Sequence, residues 1–96
     1  MAVLGNVDEG FWKRADAHIN LANAQCDSIS AGKVSASLLY AASRFNAFVG
    51  AAQLSSAEEL RDRREEALEY FTSEFRRMLE ENLDDHIDHF EDYIRR

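Results

Sequence analysis

Apolar residues recur at helical spacing in three stretches of the chain, and the least charged stretch lies at the centre. Between Lys33 and Glu58 the only charged residue is Arg44, although 30% of the whole chain is charged. A helix that is apolar or small nearly all round needs neighbours on several sides. The pattern therefore predicts a central helix over about residues 33–54. Its apolar residues fall on one stripe: Val34, Leu38, Ala41, Phe45, Phe48 and Ala52.

A second amphipathic stretch precedes this helix. Asn6 and Asp8 are residue types favoured at helix N-caps, and the pattern predicts a helix over about residues 9–25. The polar and small residues 27–32, which end in Gly32, predict a loop between antiparallel neighbours. The apolar positions of this first helix step by four and three: Phe11, Ala15, Ile19, Ala22 and Cys26.

The third stretch is the longest. Ser56 and Glu59 have the spacing of a capping box, and nothing in residues 57–94 forces a stop, so one long amphipathic helix is predicted there. Asn82 is the one candidate interruption, because it could cap a short fourth helix. The apolar face of this helix comprises Leu60, Leu68, Phe71, Phe75, Met78, Leu79, Leu83, Ile87, Phe90 and Ile94.

Composition supports a helical fold. The 96 residues include no proline and only four glycines, which favours helix and leaves few turn signals for a β fold. The sequence predicts an all-α protein: a small helical bundle of three helices that forms a single domain over residues 1–96.

The length of the third helix raises the question of what covers it. An unbroken helix over residues 57–94 would be about 57 Å long, whereas helices of about 17–22 residues span about 25–33 Å. The C-terminal part of its stripe would then be exposed in a monomer, unless the chain folds back near Asn82. A second copy is the favoured covering. The predicted interface residues are Leu83, Ile87, Phe90 and Ile94.

The net charge of −7 arises entirely in the second half of the chain. Nucleic acid and anionic membranes both need a basic footprint, so neither is expected as a partner. Arg44, Asn46 and Gln53 also make the central helix unsuitable as a membrane span. Because Cys26 is the only cysteine and the first residues do not have the pattern of a signal peptide, a cytoplasmic location is expected.

One group of polar residues has the chemistry of a metal site. Asp85, His86 and His89 could share a Zn, Fe or Mn ion if the helix brings them together. The Glu-x-x-His motif of di-metal bundles does not occur, and these groups flank the apolar stripe without interrupting it. A solvated acidic face is the simpler interpretation, and weak metal binding is the alternative.

A second group surrounds the lone arginine of the central helix. Ser37, Tyr40 and Arg44 form a polar strip that could hold a small anion. Arg44 could also act as a structural clamp on an acidic residue of the third helix, such as Glu69 or Glu74, because an unpaired buried charge is costly. The clamp is the favoured interpretation.

Nothing in the sequence indicates catalysis. There is no strand–turn–helix context that would place a nucleophile, base and acid together, and there is no glycine-rich phosphate loop. The protein is therefore expected not to be an enzyme, and no cofactor is expected.

Three runs of the sequence suggest a family. The runs RADAHINLAN, GKVSASLLYAASRFNAF and EYFTSEFRRMLEENLDDHIDHF together resemble the short bacterial proteins catalogued as domain of unknown function 3144. The resemblance covers roughly residues 11–93. It implies a small, soluble, single-domain bacterial protein without an assigned activity, and it provides no catalytic or binding residues.

The sequence therefore favours a non-enzymatic interaction or accessory protein that acts as a homodimer and also contacts another protein. The alternative is a weak metal- or anion-binding module that uses residues 81–92 or Arg44.

Overall fold

The structure, a computed structural model, describes residues 7–94. None of these residues lies in a β strand, so the prediction of an all-α fold is confirmed. The helices are α1 (Phe11–Gln25), α2 (Ala31–Ala52), α3 (Ala57–Asp62), α4 (Arg64–Asp88) and α5 (Phe90–Tyr93).

The chain divides into two compact units, Met1–Ala57 and Glu58–Arg96. Helices α1 and α2 belong to the first unit. Helix α3 from Glu58 onward, α4 and α5 belong to the second unit. That the two units form a single domain stays a prediction.

Asp8 organises the start of α1 from a position just outside the helix. Its backbone carbonyl accepts the N–H of Phe11 at 3.0 Å, and its carboxylate accepts the N–H of Gly10 at 3.2 Å. The carboxylate also forms an ion pair with Arg14 at 2.7 Å. The hydrogen bond from Arg14 lowers the pKa of Asp8. Asn6, the other predicted cap, lies outside the described residues.

The turn between α1 and α2 is shorter than predicted. Helix α2 begins at Ala31, and Gly32 lies inside it, although Gly32 was expected to end the loop. The reason is local: Ser30 has an extended backbone, and its carbonyl accepts the N–H groups of Lys33 and Val34, both at 3.1 Å. This carbonyl therefore starts the hydrogen bonding of α2 before the glycine is reached.

Burial in the first unit centres on the start of α2, which packs against α1. Val34 is 4% exposed and is the only buried hydrophobic side chain among residues 7–94. Phe45 and Phe48, which lie on the apolar stripe predicted for the central helix, are each 65% exposed. Cys26, the last of the apolar positions predicted for the first helix, is also exposed. Because α1 ends at Gln25, Cys26 lies in the turn after the apolar stripe of α1.

Residues 57–94 form three consecutive helices, where one continuous helix was predicted. Helix α3 does begin directly after Ser56, as the capping box predicts, but the helix is interrupted at Arg63 and again at His89. The N–H of Arg63 lies 3.2 Å from two carbonyl oxygens, those of Glu59 and Leu60. This bifurcated bond is typical of a helix end, and it separates α3 from α4.

Asn82, the predicted interruption, lies inside α4. Its side-chain amide donates a hydrogen bond to the carbonyl of Met78 at 2.8 Å, so it supports the preceding turn and does not cap a new helix. Helix α4 is 25 residues long, which corresponds to about 38 Å. None of the helices among residues 7–94 combines the length and the hydropathy that a membrane crossing requires.

Candidate functional site

The second unit carries a long row of exposed apolar side chains, which we call the α4 stripe. No residue of α3, α4 or α5 is buried. The members of the stripe are 43–71% exposed, and Ile87 is the most exposed. All four predicted interface residues are among them. The α4 stripe consists of Leu68, Phe75, Leu79, Leu83, Ile87, Phe90 and Ile94.

A polar cluster lies beside the C-terminal end of this stripe. We call Asp85, His86, His89 and Tyr93 the Asp85 cluster. One carboxylate oxygen of Asp85, Oδ2, accepts a hydrogen bond from the Tyr93 hydroxyl at 2.7 Å. The other, Oδ1, lies 3.1 Å from Nδ1 of His89. Tyr93 thus bridges the interruption at His89 and ties α5 to α4.

Helical spacing explains this arrangement. Asp85, His89 and Tyr93 follow one another at intervals of four, which places all three on one side of a helix. Asp85, His86 and His89 were predicted from the sequence, whereas Tyr93 was not. The spacing of four residues from Asp85 to His89 and from His89 to Tyr93 could have indicated that Tyr93 belongs to this group. A tyrosine two turns after an aspartate is, however, equally compatible with a packed aromatic residue.

The two histidine rings are oriented by backbone and aromatic contacts. Nδ1 of His86 lies 2.8 Å from the carbonyl oxygen of Asn82, and its ring stacks on that of Tyr93 at a centroid distance of 4.3 Å. Nδ1 of His89 lies 3.2 Å from the carbonyl oxygen of Asp85. Each ring therefore has a partner within its own turn of helix.

The hydrogen bond between Tyr93 and Asp85 has an electrostatic consequence for both groups. The Tyr93 hydroxyl, and after it His89, lowers the pKa of Asp85, because these groups favour the ionised carboxylate. The same bond raises the pKa of Tyr93. At neutral pH the pair is therefore a neutral phenol that donates to a carboxylate.

We expect the Tyr93→Phe variant, which removes only the hydroxyl, to raise the pKa of Asp85 toward its ordinary value of 3.8. A lowered pKa in the folded protein stabilises the fold above the unfolded pKa. This contribution is lost as the pH falls through the folded value. The measurement is an NMR titration of the Asp85 carboxyl carbon. Tyr40→Phe is the control, because it removes a tyrosine hydroxyl from α2, outside the Asp85 cluster. An Asp85 titration that does not change in Tyr93→Phe would contradict this role of Tyr93.

The hydrogen bonds of the Asp85 cluster join α5 to the end of α4. The structure does bring together the three predicted metal-binding residues, Asp85, His86 and His89. However, both Nδ1 atoms face backbone carbonyl oxygens, and both carboxylate oxygens have partners within the cluster. Across residues 7–94, no three His, Cys, Asp or Glu side chains are placed to hold a metal ion. Weak metal binding stays a prediction.

The polar strip of α2 does not form a connected site within the first unit. The Ser37 hydroxyl donates to the carbonyl of Val34 at 3.0 Å, so it is directed along its own helix. Tyr40 and Arg44 are exposed, and no hydrogen bond joins them within residues 7–57. Anion binding by Tyr40 and Arg44 stays a prediction, as does the proposed clamp on Glu69 or Glu74.

A shallow depression of about 360 Å³ lies at the turn between α1 and α2. Its one charged group is Lys33. The depression was not predicted from the sequence. The lining residues are Gln25, Ser28, Ile29, Lys33, Val34 and Ser37.

Comparison with known proteins gives two matches. A family model described as "Protein of unknown function (DUF3144)" matches residues 11–87, which confirms the resemblance seen in the sequence. The chain is also similar to the NMR structure of the protein NB7890A from Shewanella sp, with 33% sequence identity and a TM-score of 0.75. The similarity covers 92% of this chain and 94% of the other. No curated protein matches.

Proposed function

Because the chain belongs to the DUF3144 family, which is described as being of unknown function, we propose from its own side chains that it is a non-enzymatic interaction protein that acts as a homodimer. The observation that carries this proposal is the exposure of the α4 stripe. The proposed occupant of the stripe is the same stripe of a second copy.

The energetic argument rests on the size of the stripe. Fully burying one large apolar side chain contributes about 1.5–3 kcal/mol, and the stripe presents seven such side chains, five on α4 and two in the residues that follow it. Exposed apolar patches larger than a few hundred Å² mark interaction sites in soluble proteins. A stripe that continues for most of α4 therefore favours association.

A second copy fits the stripe well because one surface can serve both partners. In a two-fold dimer the same patch of each copy forms the contact, and two amphipathic helices can bury matching stripes against each other. The edge of the stripe carries charges of both signs, Arg76 and Glu80, which form an ion pair at 3.4 Å. Because this edge has one positive and one negative residue, the same edge of the second copy can lie beside it without a net repulsion.

The proposed setting is the bacterial cytoplasm, where a free cysteine such as Cys26 remains reduced. A further protein partner would bind the dimer as an accessory interaction.

The first test is the solution mass of the purified protein by light scattering. We expect twice the chain mass of 10.9 kDa at micromolar concentration and at physiological salt. A mass of one chain over the whole accessible concentration range would overturn the proposal.

A further inference from the structure

We propose that the two copies pair with their α4 helices antiparallel and cross at Leu79. This inference rests on the proposed function, because it specifies the orientation of the second copy in that dimer. Two independent features of the second unit support it: the distribution of charge along the chain, and the positions of the large apolar side chains about Leu79.

Charge is unevenly distributed along the second unit. All five arginines of residues 58–94 lie between Arg61 and Arg77, whereas residues 78–94 contain seven carboxylates and no lysine or arginine. The two segments 78–94 would lie side by side in a parallel dimer. Packed helices are about 8–10 Å apart, which is close to the Debye length of about 8 Å at physiological salt. The repulsion would therefore be only partly screened.

An antiparallel dimer weakens this repulsion. Each acidic segment 78–94 would then lie against residues 64–80 of the second copy, which contain three arginines and five carboxylates. Parallel pairing places two segments of charge −7 side by side, whereas antiparallel pairing places a segment of charge −7 beside one of charge −2. The smaller repulsion therefore favours the antiparallel arrangement.

The apolar side chains are arranged symmetrically about Leu79. Large residues occur four, eight and eleven positions before it and at the same distances after it. A two-fold axis at Leu79 would bring each residue opposite its counterpart in the second copy. The resulting layers are Leu79 with Leu79, Phe75 with Leu83, Phe71 with Ile87, and Leu68 with Phe90.

One edge of the stripe supports the same axis. Arg76 and Glu80 lie on one edge and pair within the helix. When two helices pack antiparallel, the same edges of both come together, so Arg76 would lie beside Glu80 of the second copy. In a parallel dimer this edge would face the opposite edge, which carries Met78 and Asn82.

A distance between two spin labels tests the orientation. Glu66 lies within α4 and its side chain is 74% exposed, so a nitroxide attached to Glu66→Cys should not disturb the fold. The exposed Cys26 is first replaced by serine to leave one labelling site. Position 66 lies about 13 residues before Leu79, so an antiparallel dimer separates the two labels by about 40 Å. A parallel dimer brings them within about 25 Å, which includes the label arms and the helix separation.

Engineered disulfides provide a second measurement in the same Cys26→Ser background. We expect a chain with Phe75→Cys and a chain with Leu83→Cys to form a mixed disulfide when combined. We also expect Leu83→Cys alone to form almost none. A disulfide needs Cα atoms within about 7 Å. Two copies of position 83 in the proposed dimer are offset by about 12 Å along the axis.

The outcomes separate the two proposals. If the Cys26→Ser parent is a monomer by light scattering, the proposed function is overturned and this inference fails with it. If the parent is a dimer but the labels lie within about 25 Å, or Leu83→Cys links to itself, only the antiparallel orientation is overturned. A dimer with a distance of about 40 Å and a mixed disulfide supports both.

Discussion

The Ile87→Asp variant is expected to be a monomer under conditions in which the wild-type protein is a dimer. Ile87 is the most exposed member of the α4 stripe and would lose its burial in the dimer interface. Because a two-fold dimer contains the substitution twice, the loss of apolar burial is about 3–6 kcal/mol. This corresponds to a rise in Kd of roughly 10²–10⁴-fold. Burial of two aspartates at the interface would add to this cost.

The measurement is sedimentation equilibrium of both proteins over the same concentration range. Ser73→Asp is a matched control, because it adds the same charge to the exposed side of α4, away from the stripe. We expect this control to remain a dimer. Helical content by circular dichroism should be the same in all three proteins. A dimer of unchanged affinity in Ile87→Asp would show that the C-terminal part of the stripe is not the interface.

The Val34→Asp variant is expected to lose the folded arrangement of α1 and α2. Val34 is the only buried hydrophobic side chain among the described residues. Burial of a carboxylate without a partner costs several kcal/mol. A domain of this size has a total stability of only about 5–15 kcal/mol. The substitution therefore removes a large part of the free energy of unfolding.

Chemical denaturation followed by circular dichroism measures this effect. Leu39→Asp is the matched control, because Leu39 lies on the same helix, is exposed, and also exchanges an apolar side chain for a carboxylate. We expect a change of at most about 0.5 kcal/mol in this control. Equal midpoints for Val34→Asp and Leu39→Asp would show that Val34 is not the centre of packing in the first unit.

The two units differ in how their apolar side chains are used. In the first unit, packing of α1 on α2 covers Val34 at the beginning of α2. In the second unit, the main internal tie is polar: the hydrogen bond from Tyr93 to Asp85 crosses the interruption at His89. This bond holds α5 to α4, so Phe90 and Ile94 follow the end of α4 as part of the stripe. The C-terminal end of the unit is therefore held by a hydrogen bond, and its apolar stripe is available for a partner.

The sequence by itself determined the helical class, the family, the approximate positions of α1 and α2, and the start of α3 after Ser56. These features follow from local physics. Apolar residues at intervals of three and four, the absence of proline and the capping-box serine act within one or two turns of a helix. Leu83 and Ile87 share an exposed face, as a period of 3.6 indicates. That they form an interface stays a prediction.

The tertiary structure decided where the long amphipathic stretch is interrupted and what its polar residues do. Arg63 and His89 carry no breaker signal. The interruption at Arg63 arises from competition between the carbonyls of Glu59 and Leu60 for one N–H group. Asn82 did carry a signal, yet its amide bonds back to Met78. The alternative hydrogen bonds in such a competition differ in free energy by about 1 kcal/mol. A residue pattern cannot resolve so small a difference, so the choice between them is visible only in the folded structure.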